Sequence, residues 1–307
     1  MKKAIVTGAN GFVGSHVVKE LRQNQVEVIA LVRNEDSNID SLIGIDNLTV
    51  IYCELNTIST LTKLIDTADV FYHFAWEGSA GEARMNPSLQ LQNAIWTADC
   101  IKVASELGCE RFVCAGSIME KEMLAAVYTQ GNNIGLPYIY GTGKVAAHAI
   151  SKAVASDLGI NMIWGNITNA YGAGELSPRF INTTIRKIIN REALQFTAAT
   201  QNYDFIYVTD VAKAFYLLGL NGQANYEYTI GSGKAKPLKE FIYKMKESLA
   251  PNQNFIFGDI PFTGIELSLE QFSTDLLKEH TGFKPTISFE DGVKLTRDWL
   301  YEENNND

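Results

Sequence analysis

The sequence has few of the features that mark a metal protein, a membrane protein or a secreted protein. Its four histidines are scattered and form no H-E-x-x-H pattern or comparable ligand set, so we expect no metal site. No apolar run approaches the roughly 20 residues of a membrane-spanning helix, and only a short apolar stretch separates Met1 from the first glycine. A signal peptide needs a longer apolar core than that, so we expect a cytoplasmic protein without membrane contact.

Positive charge and cysteine are also scarce. The 307 residues include 26 Lys and Arg against 35 Asp and Glu, a net charge of −9, and the cations form no cluster that would neutralise phosphates along a duplex. We therefore expect no nucleic-acid partner. The four cysteines show no C-x-x-C spacing and lie in apolar segments, which indicates reduced, mostly buried thiols. The length and a hydrophobic content of 46% predict a large core and two domains.

Three glycines lie in a turn between a short apolar strand, Lys3–Val6, and a helical pattern, Ser15–Leu21. Glycine in such a turn permits a positive φ, a close approach of the main chain to a ligand and tight packing of helix on strand. The free N–H groups at the start of the helix and the helix dipole favour an anion, and a pyrophosphate is the expected guest. The predicted site consists of Gly8, Asn10, Gly11, Phe12, Val13 and Gly14.

Apolar strand patterns alternate with helical patterns through the first half of the chain. Strands are predicted near 26–32, 48–52, 70–74, 111–115 and 160–164, and long helices over 87–107 and 138–157. This order predicts an α/β protein with a Rossmann-type doubly wound parallel sheet in residues 1–168. Residues 169–307 are expected to form a smaller, mixed α/β substrate domain, with a segment near 204–218 packing back on the first domain.

The residue that ends the second predicted strand bears on the choice of cofactor. NAD binders place an acid there, whereas an arginine pairs with the 2′-phosphate of NADP. This chain has Arg33, so we favour NADP, although Glu35 or Asp36 keeps NAD open and Arg33 could also be a solvated surface residue. The ends of the next two strands would contact the remainder of the nucleotide, through Glu54, Leu55, Phe74 and Ala75.

A tyrosine and a lysine lie four residues apart in the second long helix. Tyr140 and Lys144 therefore share a helix face and project into the same cleft. A free tyrosine titrates near ~10, and lowering its pKa by ~3 units takes about 4 kcal/mol, which an adjacent ammonium and a cationic nicotinamide ring can supply. Gly141 and Gly143 would let a cofactor approach closely. Ser117, just past the fifth strand, is in reach of the same spot and would hydrogen-bond the oxygen whose carbon exchanges hydride.

Together these motifs resemble the extended short-chain dehydrogenases/reductases of the NAD-dependent epimerase/dehydratase family, which act on nucleotide sugars. Segments that resemble the family lie along nearly the whole chain: His73-Phe74-Ala75, Asn93, Asn169–Gly174, Asp204–Ala212, Gly282–Pro285, Glu290–Val293 and Trp299. The resemblance implies that Tyr140 is the acid/base, that Lys144 holds the nicotinamide ribose and that Ser117 orients the substrate.

The resemblance also implies roles for less distinctive residues. Asn93 would belong to the cofactor site, and Asn169 would approach the diphosphate of a sugar nucleotide. The sugar pocket would be formed by residues 76–81 with Ile118 and Met119, although core packing explains Trp76 and Met119 equally well.

The chain departs from the family pattern at positions that often carry arginine. Asn166 and Tyr203 occupy two of them, and Phe262-Thr263 replaces a third. Arginine binds a diphosphate through bidentate, charge-assisted bonds. Either the substrate is not a typical UDP-sugar, or another cation replaces these contacts, the candidates being Arg179, Arg186 and Lys234.

These departures leave several functions open. Ile118-Met119 does not match the acidic pair of the dehydratases, which disfavours dehydration. A nucleotide-4-keto-sugar reductase that uses NADPH is then the leading hypothesis, and a nucleotide-sugar 4-epimerase that retains NAD is the nearest alternative. Reduction of a non-sugar carbonyl and a non-catalytic NADP-sensing protein also remain open. By analogy with relatives, the two long helices predict a homodimer.

Overall fold

Strands and helices alternate from the N-terminus, as the spacing of apolar residues predicts. The computed structural model describes residues 1–306, with 304–306 described by their backbone alone. The strands are β1 (Lys3–Thr7), β2 (Glu27–Val32), β3 (Leu48–Tyr52), β4 (Val70–His73), β5 (Arg111–Ser117), β6 (Asn161–Ile167), β7 (Asn169–Tyr171), β8 (Leu194–Phe196), β9 (Asn202–Tyr203), β10 (Phe205–Tyr207), β11 (Glu227–Ile230), β12 (Lys236–Pro237) and β13 (Phe255–Phe257). The helices are α1 (Phe12–Gln23), α2 (Pro87–Glu106), α3 (Met119–Tyr128), α4 (Tyr138–Leu158), α5 (Phe180–Ile189), α6 (Val208–Asn221), α7 (Leu238–Leu249), α8 (Asp275–Thr281) and α9 (Phe289–Asn306). Short 3-10 segments cover Asp40–Leu42, Leu55–Lys63, Glu82–Met85 and Leu269–Phe272.

Seven parallel strands form the main sheet, in the order β3-β2-β1-β4-β5-β6-β11. The order reverses direction between β1 and β4, so the connections leave a crevice at the carboxyl ends of these two strands. Open α/β sheets bind their ligands at this switch point. The predicted doubly wound sheet is therefore confirmed, and its topology places the glycine turn after β1 at the crevice.

Helices cover both faces of the sheet, which explains why its strands read as nearly continuous apolar runs. One face packs against α1 and α6, in a core that includes Val17, Leu21 and Phe215. The other packs against α2 and α4, in a core that includes Ile101, Ala147 and Trp164. No helix in the described part of the chain is long and apolar enough to cross a membrane.

The C-terminal half builds a third core around α5, α7 and α9. Three small two-stranded sheets support it, pairing β7 with β10, β8 with β13 and β9 with β12. Parts of this C-terminal half belong to the main sheet layer, because α6 packs on α1 and β11 pairs with β6 at the edge of the main sheet. The segment predicted near 204–218 thus contains a helix on the first lobe, while the division at residue 168 into two domains stays a prediction.

Helix α3 is among the helices that the periodicity of the sequence did not predict. Helix α3 begins two residues after β5, and its exposed apolar side chains, Leu124, Val127 and Tyr128, blur the amphipathic pattern. A capping pattern at its start would have identified it, as described below.

Candidate active site

A cavity of about 530 Å³ opens at the carboxyl edge of the main sheet. It extends from the end of β2, past the glycine turn, to the ends of β5 and β6. Most of the residues predicted from the sequence line it: Gly8, Asn10, Gly11, Phe12, Val13, Gly14, Arg33, Leu55, Phe74, Ala75, Trp76, Ser117, Tyr140, Lys144 and Arg179. The fold thus brings residues more than 150 positions apart into one site.

The glycine turn has the geometry of a cradle for a pyrophosphate. Gly8 has a positive φ of 63°, and a Cβ there would lie 2.7 Å from the Ala75 nitrogen. A Cβ on Gly14 would lie 2.1 Å from the Gly8 carbonyl oxygen, so only glycine lets α1 pack this closely on the turn. Helix α1 begins at Phe12 with no side-chain cap, which leaves its first N–H groups directed toward the cavity. This arrangement fits a dinucleotide.

A buried chain of hydrogen bonds fixes the loop after β4. The Thr7 hydroxyl oxygen accepts from the Phe74 and Ala75 nitrogens, so its proton is donated to His73 Nδ1, 2.9 Å away. His73 Nε2 then donates to Thr97, whose hydroxyl donates to the Asn93 carbonyl. Burial lowers the pKa of His73 to about 3, which keeps the imidazole neutral and this direction of donation intact.

Asn93 supports this loop and does not line the cavity. It is 1% exposed, accepts from the Glu77 nitrogen at 2.8 Å and donates to the Glu77 carbonyl at 3.0 Å. Gln90, one turn earlier on α2, accepts from the Trp76 indole at 2.8 Å. The sequence predicted that Asn93 belongs to the cofactor site. Its amide instead makes all its hydrogen bonds to backbone groups and holds the loop after β4 from behind.

The end of the cavity next to β2, where the sequence predicts that the adenosine binds and which is called the adenosine end below, carries a cation and a hydroxyl from the segment after β2. Arg33 and Ser37 line the cavity, whereas the acids Glu35 and Asp36 do not. The Arg33 guanidinium lies 3.5 Å from the carboxylate of Glu77, which reaches across from the β4 loop. After β3, Cys53 and Leu55 line the wall, while the Glu54 side chain is exposed outside it.

Tyr140 and Lys144 are neighbours on one face of α4, as predicted. The Lys144 ammonium is buried, donates to the Ala115 carbonyl at 2.8 Å and lies 3.7 Å from the centre of the Trp76 ring. The Tyr140 ring meets the Trp76 ring edge to face at 5.9 Å. The Arg84 guanidinium lies 4.1 Å from the centre of the Tyr140 ring, a cation–π contact. The phenol ring thus contacts both an indole and a guanidinium.

The two glycines beside Tyr140 are required for helix packing, whereas the sequence predicted that they let a cofactor approach. A Cβ on Gly141 would lie 2.8 Å from the Met119 carbonyl oxygen, and one on Gly143 would lie 2.8 Å from the Gln90 carbonyl oxygen. Gly141 therefore lets α4 pack closely on the first residue of α3, and Gly143 lets it pack closely on α2 at Gln90. The expected close approach of a cofactor at these positions is not what makes glycine necessary.

Three residues expected on the substrate side lie outside the cavity wall. Ile118 is buried in a small apolar cluster with Leu267 and Phe272, and Met119 donates its backbone N–H to the Ser117 hydroxyl at 3.2 Å. Asn169 donates to the Asp204 carbonyl at 3.2 Å, within the small β7–β10 sheet.

Arg179 does line the cavity. Its Nε atom lies 3.0 Å from the carboxylate of Glu175, which is itself buried in the wall. A half-exposed cation beside a buried acid is thereby available in the cavity wall, near Arg84, whose pKa its charge helps to lower.

Family models and known proteins were compared with the chain. A model of the NAD dependent epimerase/dehydratase family matches residues 4–231. The chain belongs to this family. It is accordingly an enzyme of the extended short-chain dehydrogenase/reductase type, as the resemblance implied.

The relatives within the family have diverse activities. The chain is 24% identical to a CDP-abequose synthase of Salmonella typhimurium over 94% of its length and 95% of the relative's. It is equally 24% identical to a dTDP-4-dehydro-6-deoxyglucose reductase of Escherichia coli, covering 94% of each chain. The crystal structure of a UDP-glucose 4-epimerase from Thermotoga maritima, with UDP-glucose, superposes with a TM-score of 0.82 at 19% identity, covering 98% of this chain and 99% of that one. At this identity the likeness shows the fold alone.

Two charged residues near Tyr140, Arg84 over its ring and Glu122 beside Arg84, could not be recognised from the sequence. Burial raises the pKa of Glu122 to about 7, against the opposing effects of Arg84 and a hydrogen bond from Tyr138. Burial also lowers the pKa of Arg84. Neither residue belongs to a recognisable motif, since they come from the 3-10 segment before α2 and from α3. Only the fold brings Arg84 to Tyr140 and Glu122 to Arg84.

Proposed function

We propose that the chain is an NADPH-dependent reductase of a nucleotide-linked 4-keto sugar. The observation that carries this proposal is the adenosine end of the cavity, where Arg33 and Ser37 line the wall and the nearby acids Glu35 and Asp36 do not. A guanidinium with a hydroxyl suits a 2′-phosphate, whereas the ribose of NAD is usually met by a carboxylate at this place. A reductant that exchanges in each turnover suits a reductase.

The residues around the other end of the cavity support proton delivery to a carbonyl oxygen. The cofactor, when bound, supplies a hydride to the carbon of that carbonyl. Tyr140 gives its phenolic proton to the oxygen, and the Lys144 ammonium, 5.9 Å from the phenol ring, stabilises the negative charge that remains. Ser117 donates a second hydrogen bond to the same oxygen. Trp76 and the buried Lys144 restrict water around the phenol.

The substrate's diphosphate is assigned to the part of the cavity wall that carries Arg179. The arginines that relatives often carry are replaced by Asn166, which is buried and bonded to Glu227, and by Tyr203. Arg179 is the cation of the predicted set that lines the cavity, so we assign the diphosphate to it. Asn169, which donates to a backbone carbonyl, keeps only an indirect role.

A 4-epimerase that retains NAD is the second candidate, and one contact favours it. Glu77 lies 3.5 Å from Arg33, which neutralises the cation and places a carboxylate near the ribose. In that function Tyr140 would remove and return the proton of the sugar hydroxyl, with the cofactor recycled in place.

Identification of the retained nucleotide distinguishes these functions. The purified protein is denatured and any released nucleotide is identified by mass spectrometry. NADP, or no nucleotide, supports the reductase, and stoichiometric NAD contradicts it in favour of the epimerase.

Turnover is then measured with 4-keto and 4-hydroxy sugar nucleotides carrying UDP, dTDP and CDP. The Tyr140→Phe variant is expected to lose roughly 10²- to 10⁴-fold in kcat, the usual contribution of a general acid, with cofactor affinity retained. Unchanged turnover in this variant would remove Tyr140 from the mechanism.

A further inference from the structure

Ser117 and Glu120 form reciprocal hydrogen bonds at the start of α3. The Ser117 hydroxyl oxygen accepts from the Met119 nitrogen at 3.2 Å, and the Ser117 nitrogen donates to Glu120 Oε1 at 3.0 Å. Ile118 already has helical angles, φ −55° and ψ −25°, so Ser117 is in effect the residue that caps the helix. The sequence Ser-Ile-Met-Glu thus has the spacing of a capping box, with the difference that the serine oxygen accepts the N–H of Met119, two residues on, while the glutamate accepts the N–H of Ser117 itself.

This cap sets the direction of the Ser117 hydroxyl. Its oxygen accepts the Met119 N–H, so the hydroxyl proton remains to be donated elsewhere. Ser117 lines the cavity together with Tyr140 and Lys144, and the free proton is therefore available to an oxygen bound between them. The backbone of Ser117 is in turn held by the carboxylate of Glu120.

Glu120 also joins Ser117 to the helix that carries the acid/base. The carboxylate is 3% exposed, and its Oε2 atom lies 3.1 Å from His148 Nδ1. His148 follows Lys144 by one turn of α4, on the same face as Tyr140. The imidazole stacks on the Trp164 indole at 4.4 Å and 6° between planes, and the indole N–H donates to Glu120 Oε1 at 3.0 Å.

The end of β5 is shaped around this carboxylate. A Cβ on Gly116 would lie 2.7 Å from Glu120 Oε1 and 2.1 Å from the Trp164 indole nitrogen. Only glycine at position 116 lets β5 pass this close to the Glu120 carboxylate and the Trp164 indole. The Glu120 carboxylate is buried, hydrogen-bonded at both oxygens and packed against a glycine, so its position is fixed. Because the Ser117 nitrogen donates to it, the position of Ser117 is fixed as well.

We propose that Glu120 is a positioning residue for catalysis, which acts through Ser117. It fixes the serine between the end of β5 and helix α4, so that the hydroxyl proton points at the reacting oxygen. The inference rests on the proposed function for its kinetic consequence, whereas the hold on the Ser117 backbone is measurable without any substrate.

Hydrogen–deuterium exchange of the full chain, with and without NADPH as the probe, tests that hold. In Glu120→Ala the Ser117 amide loses its acceptor, and we expect it to exchange at least about tenfold faster. In Glu120→Gln the amide oxygen replaces Oε1, and the amide nitrogen donates to His148 once the ring carries its proton on Nε2, so protection is retained. Val103→Ala, which truncates a buried side chain of α2 in the same core, is the control for general loosening. Equal exchange at Ser117 in wild type and Glu120→Ala overturns the proposal.

A double-mutant cycle in kcat tests the consequence for catalysis. A misplacement of about 1 Å costs on the order of 10²-fold, so Glu120→Ala is expected to lower kcat by roughly 10- to 100-fold with little change in the KM for NADPH. In the Ser117→Ala background the same change is expected to cost less than about threefold, because the group that Glu120 positions is gone. Glu120→Gln is expected to restore most of the kcat.

Two results in the cycle contradict the proposal. One is an equal loss from Glu120→Ala in both backgrounds, which indicates a general effect on the fold. The other is a loss in Glu120→Gln as large as in Glu120→Ala, which indicates that charge and not hydrogen-bond geometry is needed. If wild type turns over no sugar nucleotide, the proposed function fails, and the exchange measurement still decides whether Glu120 holds Ser117.

Discussion

Replacing Arg33 tests the proposed cofactor preference at the level of one side chain. The guanidinium lines the adenosine end of the cavity and is 58% exposed, and its neighbour within 4 Å is the Glu77 carboxylate. A 2′-phosphate in this place would take over the guanidinium and draw it away from the acid. Arg33→Ala removes that contact from NADPH, whereas NADH, which has no 2′-phosphate, loses nothing.

The expected size follows from the exposure of the pair. A hydrogen bond to a charged group contributes about 1.5–3 kcal/mol, and the lower end applies to a half-exposed site. Separating Arg33 from Glu77 costs about 0.2–1 kcal/mol, typical of a surface ion pair. The net loss on Arg33→Ala is therefore about 0.5–1.3 kcal/mol, which should weaken NADPH binding by roughly 2- to 10-fold and NADH binding by less than about twofold. Glu77→Gln releases Arg33 and should tighten NADPH by up to about fivefold.

Fluorescence titration with the reduced cofactors measures these affinities without any substrate. The wild type, both single variants and Arg33→Ala combined with Glu77→Gln are compared at low and at high salt. The benefit of Glu77→Gln should vanish in the double variant, since it depends on Arg33. Equal weakening of NADPH and NADH by Arg33→Ala would refute the assignment and leave Arg33 as a surface residue, as would the absence of any effect.

Three further predictions concern binding, stability and assembly. Gly14→Ala places a Cβ 2.1 Å from the Gly8 carbonyl oxygen, so the turn must shift. We expect the same titration to detect no nucleotide binding, while circular dichroism shows that the protein is folded. The raised pKa of Glu122, about 7 against an ordinary 4.5, means that burial of its charge destabilises the fold as pH rises through this range, by at most about 3 kcal/mol. Glu122→Gln should match wild type in thermal melts at pH 4.5 and exceed it at pH 8, and a difference independent of pH contradicts this. Exposed Ile95 on α2 and Ile150 on α4 fit the predicted homodimer, so light scattering should give twice 34.0 kDa, falling to the single mass in Ile95→Asp; a monomeric wild type at micromolar concentration refutes it.

The sheet and the glycine turn could be predicted because their signals are local. A parallel strand covered on both faces must be apolar throughout, and a turn that needs a positive φ at Gly8 and close packing at Gly14 must contain glycine. The pairing of Tyr140 with Lys144 is local too, since both lie on one helix. These features depend on neighbours in the sequence, so the sequence alone carries them.

The roles of Asn93 and Arg84 depend on distant backbone and could not be predicted. Asn93 bonds to the loop at Glu77, and Arg84 contacts Tyr140 only because α2 and α4 are packed together. The start of α3 is a different case. The pattern of Ser117 followed three residues later by Glu120 is a helix-start signal that was present in the sequence.

One residue of α2 connects the position of α4, which carries Tyr140 and Lys144, to the shape of the cavity. The carbonyl of Gln90 is the atom that a Cβ on Gly143 would meet, at 2.8 Å, so the main chain of α2 sets how close α4 can come. The side chain of Gln90 accepts from Trp76 and donates to the Gly78 and Ala83 carbonyls, which fixes the loop beside the cavity. A bulkier residue at 143 would therefore move α4, which carries Tyr140 and Lys144, against the same segment that holds Trp76 in the cavity wall.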